Sequence, residues 1–129
     1  MENGYVPRVI RVVEDDESMR DSVESLLNVA GFSTATYASA EAMLAEGTSE
    51  GTLCVISDLH LPAMSGLDLL TELRLRNWRL PVIIITAHDS ASTRKEAMRR
   101  GAAAYLAKPF PSASLLTAIE NISVQTRPQ

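Results

Sequence analysis

The sequence predicts an α/β fold: a five-stranded parallel sheet, doubly wound, with strand and helix alternating five times. Three observations carry this. Three β-branched apolar runs, VIRVV (9–13), LCVIS (53–57) and PVIIIT (81–86), lack period-two alternation, as strands covered on both faces do. Helical apolar spacing fills the intervals between them. Serines and glycines stand where those helices would begin and end.

Taken in order, VIRVV leads into a helix with Met19, Val23, Leu26, Leu27 and Ala30 inward, stopped by Gly31. FSTATY (32–37) is the second strand, and Ser39 caps a short helix through Leu44. After LCVIS, Gly66 opens a helix whose apolar face is Leu67, Leu70 and Leu73. PVIIIT precedes a helix over 90–100, with Ala97 and Met98 inward and Gly101 at its end. AAAYLA (102–107) is the fifth strand, and Ser112 caps a last helix burying Leu115, Leu116, Ile119 and Ile122. Residues 123–129, SVQTRPQ, read as a tail or the start of a linker, so 1–129 is a single domain with its core at about 8–122. Right-handed crossovers convert this order into a doubly wound sheet.

Composition narrows the class. At 129 residues, 46% hydrophobic and 22% charged, the chain has the balance of one globular domain. A net charge of −4 argues against a nucleic-acid partner for this chain. The lone Cys54 forms no internal disulfide and reads as a small core residue, which suits a reducing compartment. The N-terminus lacks a signal-peptide pattern, and no apolar run approaches the roughly 20 residues that span a bilayer. A cytoplasmic location without membrane attachment is expected.

Doubly wound sheets bind ligands outside the carboxyl ends of their strands. Glu14, Asp15, Asp16 and Glu17 follow the first strand, Asp58 the third, Thr86 the fourth and Lys108 the fifth. Asp16 and Glu17 suit a helix N-terminus; Glu14 and Asp15 come directly off a buried strand. Convergence of Glu14, Asp15 and Asp58 requires a cation, because two like charges about 4 Å apart repel by roughly 4 kcal/mol at an effective dielectric of 20. Mg²⁺, a hard ion held by carboxylates and water, meets that need, and the Lys108 ammonium supplies the remaining positive charge. With a metal neutralising it, Asp58 is able to accept a phosphoryl group. Pro62 and Gly66 fold the following loop back, so that the backbone carbonyl of His60 offers a neutral metal ligand; its imidazole suits Mg²⁺ less. Thr86, followed by the small Ala87, has a hydroxyl to donate. Pro109 leaves either isomer open for the Lys108–Pro109 bond.

"VVEDD", "SDLHLPAMSGLDLL", "PVIIITAH" and "GAAAYLAKPF", in that order and at those spacings, resemble the receiver domain of two-component response regulators over nearly the whole chain. ITAH and AMRRGA are most similar to the nitrogen-fixation regulator group. The resemblance implies the flavodoxin-like receiver fold and a phosphoacceptor switch. Asp58 would take the phosphoryl group from a sensor histidine kinase or a histidine phosphotransfer protein. Asp15, Asp58 and the His60 carbonyl would ligate Mg²⁺, with Glu14, where many members have aspartate, acting mostly through water. Lys108 and Thr86 would grip the phosphoryl group, and Tyr105 would turn inward as Thr86 moves. Such a domain is not an enzyme in the usual sense, although it takes part in phosphoryl transfer and slow self-dephosphorylation. Its output face would be the fourth helix, fifth strand and fifth helix, a surface for a phosphorylation-dependent homodimer.

Other residues carry plainer expectations. Tyr105 also suits simple core packing, and Trp78 a partly exposed anchor. Met19, Met43, Met64 and Met98 read as packing, and His88 as a pocket-rim residue without a role. One rival is a haloacid-dehalogenase-type phosphatase, which usually places a second acid where His60 stands. A flavin-binding module would need a phosphate loop where EDDE repels phosphate. The chain also suits the truncated receiver half of a DNA-binding transcription regulator.

Overall fold

The computed structural model describes residues 8–126, with side chains through residue 123. The N-terminal seven residues, where no leader was expected, and 127–129, the end of the expected tail, lie outside the described residues. The elements run β1 Val9–Val13, α1 Glu17–Val29, β2 Ser33–Tyr37, α2 Ala40–Leu44, β3 Thr52–Asp58, α3 Gly66–Leu75, β4 Val82–Thr86, α4 Ala91–Arg99, β5 Ala104–Ala107 and α5 Ser112–Thr126. All strands are parallel in the order β2-β1-β3-β4-β5, the doubly wound sheet expected from the alternating pattern.

Both faces of the sheet are covered, which is why the central strands β1, β3 and β4 are mostly apolar without alternation, whereas the edge strand β2 is Ser-Thr-Ala-Thr-Tyr. Ile10, Val12, Ile56, Ile83 and Ile85 pack against Val23 and Leu27 of α1 and Leu115 and Ile119 of α5. Val13, Val55, Val82 and Ile84 pack against α2, α3 and α4 through Met43, Leu69, Leu70, Leu73 and Ala97. The chain reverses its winding between β1 and β3, so their carboxyl ends flank a crevice. Register puts the end of β1 level with β3, Val13 beside Ser57, and Asp58 beside Ile85 of β4.

Local chemistry sets the boundaries. Asp16, Ser39, Ser65 and Ser90 cap α1 to α4, each side chain accepting a backbone N–H three residues on. Ser65 and Asp68 complete a reciprocal capping box. Ser112, expected as a cap, is instead the first helical residue of α5; the Pro111 carbonyl accepts the Ser114 N–H at 2.9 Å, so the helix opens one residue earlier. At the other ends, Gly31, Asn77 and Gly101 adopt positive φ, and the residue after each donates back into its helix. These closures explain two shorter strands. The N–H groups of Phe32 and Ala102 finish α1 and α4, so β2 and β5 start later than the expected 32 and 102.

Other differences follow from helical phase. Met98 is 48% exposed rather than inward, because its neighbour Ala97 is fully buried and each residue turns the helix by about 100°. Ala30 is exposed and serves as the C-cap of α1, whose buried residues end at Leu27. The α5 helix runs to Thr126, so the first part of the expected tail is helical. Cys54 is fully buried, and burial pushes its thiol up to about 12, as suits an inert core residue.

Gly66 is where α3 presses on the end of β3. A Cβ added there would lie 2.5 Å from the Asp58 carbonyl oxygen, a backbone atom with little room to yield. Gly66→Ala is therefore expected to destabilise the domain by about 1–3 kcal/mol, read from urea unfolding; an unchanged midpoint would show that this approach is not tight.

Candidate functional site

The crevice at the β1/β3 switch point gathers residues from four loops. Glu14 leaves β1 fully buried, 1% exposed, because it continues a strand covered on both faces. Its carbonyl accepts Arg20 Nη1 at 2.8 Å, and its Oε2 accepts the Asp16 N–H at 3.2 Å. Asp15 is exposed beside it. Asp58, the last residue of β3, is 7% exposed. Carboxylate oxygens of Glu14, Asp15 and Asp58 lie within 4.8 Å of one another.

Lys108 reaches across this cluster from the end of β5. Its Nζ donates to Glu14 Oε1 at 2.9 Å and to Asp58 Oδ2 at 3.0 Å. Burial alone would lower the ammonium's pKa, yet hydrogen bonds and charges from Glu14 and Asp58 outweigh it and hold the group above its ordinary value. Burial pushes the Glu14 carboxyl up, opposed by Lys108 and the Asp16 N–H and reinforced by the charge of Asp58. The Lys108–Pro109 peptide bond is cis, and the Lys108 N–H donates to the Thr86 carbonyl at 2.7 Å.

The remaining expected residues frame the cluster. The His60 N–H donates to Asp58 Oδ1 at 3.0 Å, so each Asp58 oxygen holds one partner. Gly66 N–H bonds the Leu59 carbonyl at 2.9 Å, which folds the loop back. Thr86 is fully buried, and its Oγ1 accepts the His88 N–H at 3.0 Å, leaving the hydroxyl proton for another acceptor. The cluster suits a hard divalent ion: anionic oxygens from three side chains, next to an ammonium that already shares their charge.

Tyr105 is 6% exposed and packed with the α2–α4 side of the core. Burial, with the Asp89 carboxylate next in importance, raises its phenol above the ordinary value. Its hydroxyl has no hydrogen-bond partner of good geometry. Sequence reasoning missed what covers it. The Arg94 guanidinium lies 4.6 Å over the ring and 3.6 Å from Asp89 Oδ2, tying α4 and the β4–α4 loop to β5. The only local signal was a basic residue one turn after the Ser90 cap. Trp78 is half-buried against the core, with Arg76 5.7 Å from its ring centroid. Met43 is buried, and Met19 and Met64 half-buried.

A doubly wound sheet with an acidic crevice and a lysine at the end of its last strand defines a phosphoacceptor class of signalling domain. The sequence matches the response regulator receiver domain family over residues 10–120, and the chain belongs to that family. It is a receiver domain, with the phosphoacceptor role of two-component signalling, and neither rival fold reading is favoured. It is 36% identical to the transcriptional regulatory protein FixJ of Azorhizobium caulinodans over 110 residues, 85% of this chain and 52% of that protein. It is 40% identical to nodulation protein W of Bradyrhizobium diazoefficiens over 111 residues, 86% of this chain and 49% of that one. The crystal structure of FixJ-N superposes with a TM-score of 0.85 at 32% identity, covering 100% of both chains. The chain thus spans about half the length of these two relatives and about a quarter or less of others that it matches. Among the described residues, no helix is long and apolar enough to cross a membrane.

The buried charges make a thermodynamic prediction. Lys108→Met leaves Glu14 and Asp58 without their cation and is expected to cost up to about 3 kcal/mol in metal-free buffer. Glu14→Gln added to it should recover part, with a coupling energy of about 0.5–3 kcal/mol in a urea double-mutant cycle; strict additivity would contradict the shared ammonium. Glu14→Gln alone should gain on the native chain as pH rises above 4.5, since a carboxyl raised by folding loses stability as it ionises through that window.

Proposed function

We propose that Asp58 is the phosphoacceptor, on the strength of one observation: its carboxylate sits at the strand end within 4.8 Å of the Glu14 and Asp15 oxygens and 3.0 Å from the Lys108 ammonium. In the proposed step an Asp58 oxygen attacks the phosphorus of a phosphohistidine on a sensor kinase or phosphotransfer protein. The phosphorus–nitrogen bond breaks as the new bond forms, and the freed imidazole takes up a proton. Mg²⁺, when bound by Asp15, Asp58, the His60 carbonyl and, through water, Glu14, supplies charge neutralisation and alignment of the donor. Lys108 turns from the Asp58 carboxylate to the incoming phosphoryl oxygens, and the Thr86 hydroxyl donates to another. The His60 N–H keeps the acceptor carboxylate oriented. Slow self-dephosphorylation returns the domain to its starting state, in the cytoplasm.

The output follows from the same contacts. Driving a two-state domain from about 1:99 to 99:1 takes roughly 5.5 kcal/mol, within reach of a few charge-assisted hydrogen bonds from Lys108 and Thr86. Thr86 ends β4 and Tyr105 lies within the neighbouring β5, with Thr86 paired to Ala107 and Ile84 to Tyr105. Movement at Thr86 is therefore felt at the ring that Arg94 covers. The α4–β5–α5 face is the proposed surface for a phosphorylation-dependent homodimer.

Incubation with a small phosphodonor and Mg²⁺ should add one phosphoryl mass to the native chain and none to Asp58→Asn. Equal mass gain in both would remove Asp58 from the role. Chelation of Mg²⁺, or Asp15→Asn, should slow the gain by at least about tenfold. With beryllium fluoride as acyl-phosphate mimic, an earlier elution volume is expected for the native chain and no shift for Asp58→Asn; an unchanged native elution would count against dimerisation.

A further inference from the structure

Two histidine side chains that phosphoryl transfer does not use face each other across the mouth of the crevice. His60 follows Asp58 by two residues in the β3–α3 loop, and His88 follows Thr86 by two in the β4–α4 loop. Both are exposed. Their ring centroids are 5.1 Å apart, with the planes at 84°. Each backbone is anchored where it emerges, by His60 N–H to Asp58 Oδ1 at 3.0 Å and His88 N–H to Thr86 Oγ1 at 3.0 Å. They are the only two histidines of the chain.

That spacing also matches the one a shared tetrahedral metal would set. An imidazole nitrogen lies about 1.2 Å from its ring centroid and binds Zn²⁺ at about 2.0–2.1 Å, so two rings on one tetrahedral ion have centroids about 5.2 Å apart. From the edge-to-face arrangement present, sharing an ion would require one ring to turn about its Cβ–Cγ bond. That axis passes close to the centroid, so the turn preserves the separation. The donors are of the opposite kind to the acidic cluster below them: imidazole selects Zn²⁺, Cu²⁺ or Ni²⁺, whereas carboxylates select Mg²⁺.

We propose that His60 and His88 form a second, transition-metal site at the mouth of the crevice, taking Zn²⁺ or a similar borderline ion with water in the remaining positions. A metal held there ties the β3–α3 loop to the β4–α4 loop, the two segments that carry His60 and follow Thr86.

The test is Zn²⁺ calorimetry on the native chain, free of any purification tag, in a large excess of Mg²⁺ to occupy the acidic cluster. One Zn²⁺ per chain is expected, with affinity falling at least about tenfold in His60→Ala and in His88→Ala and holding in Asp15→Asn. Cu²⁺ on the native chain should show nitrogen couplings in its paramagnetic resonance spectrum that either histidine variant reduces. Unchanged Zn²⁺ affinity in either histidine variant overturns the proposal. So does loss of binding in Asp15→Asn with both histidine variants intact, which would put the ion among the acids. Neither readout involves phosphoryl transfer, so their failure leaves the role of Asp58 to its own experiment.

Discussion

The mutual repulsion of buried acids is the constraint around which this end of the molecule is organised. Glu14 and Asp58 are almost fully covered, and carboxylates at such distances are tolerated only when positive charge is shared among them. Lys108 provides that charge from a position 94 residues from Glu14 and 50 from Asp58, so three strand ends must come together before any of the three charges is satisfied. The ammonium is therefore both a structural tie and the group best placed to pass from carboxylate to phosphoryl oxygen.

The sheet makes that arrangement possible. The central strands are mostly apolar up to their carboxyl ends, so the acidic and hydroxyl side chains that emerge there are held by a rigid backbone rather than by a loop. Asp58 is the end residue of β3, Thr86 of β4, and Lys108 comes one residue after β5. The reversal of winding between β1 and β3 opens the crevice into which they emerge. Gly66, whose missing side chain lets α3 close on the Asp58 carbonyl, completes the enclosure.

Around this centre lie contacts that link it to the rest of the molecule. The β4–α4 loop leaves Thr86, carries His88 to the mouth and Asp89 toward Arg94, and so connects the crevice to the covered ring of Tyr105. The ties along that route are local hydrogen bonds and ring contacts at the surface, weaker than the core beneath, which is the property required of the part of a switch that moves.

The amino-acid pattern alone determined the alternation of strands and helices, because a covered strand and an amphipathic helix leave different periodicities. It also determined which side chains leave the strand ends, since the last apolar residue of each run marks the rim; Glu14, Asp15, Asp58, Thr86 and Lys108 were legible for that reason. Helix ends were legible where a serine or glycine carried the geometry, and missed where a neighbouring backbone did, as Pro111 does for α5 and the closing turns do at Phe32 and Ala102. The phase of Met98, the apposition of His60 and His88, the cover of Arg94 on Tyr105 and the cis bond at Pro109 were decided only by the folded chain. The two ring contacts depend on distances between separate segments, set by strand register and helix packing, and such distances leave no periodic trace along the chain.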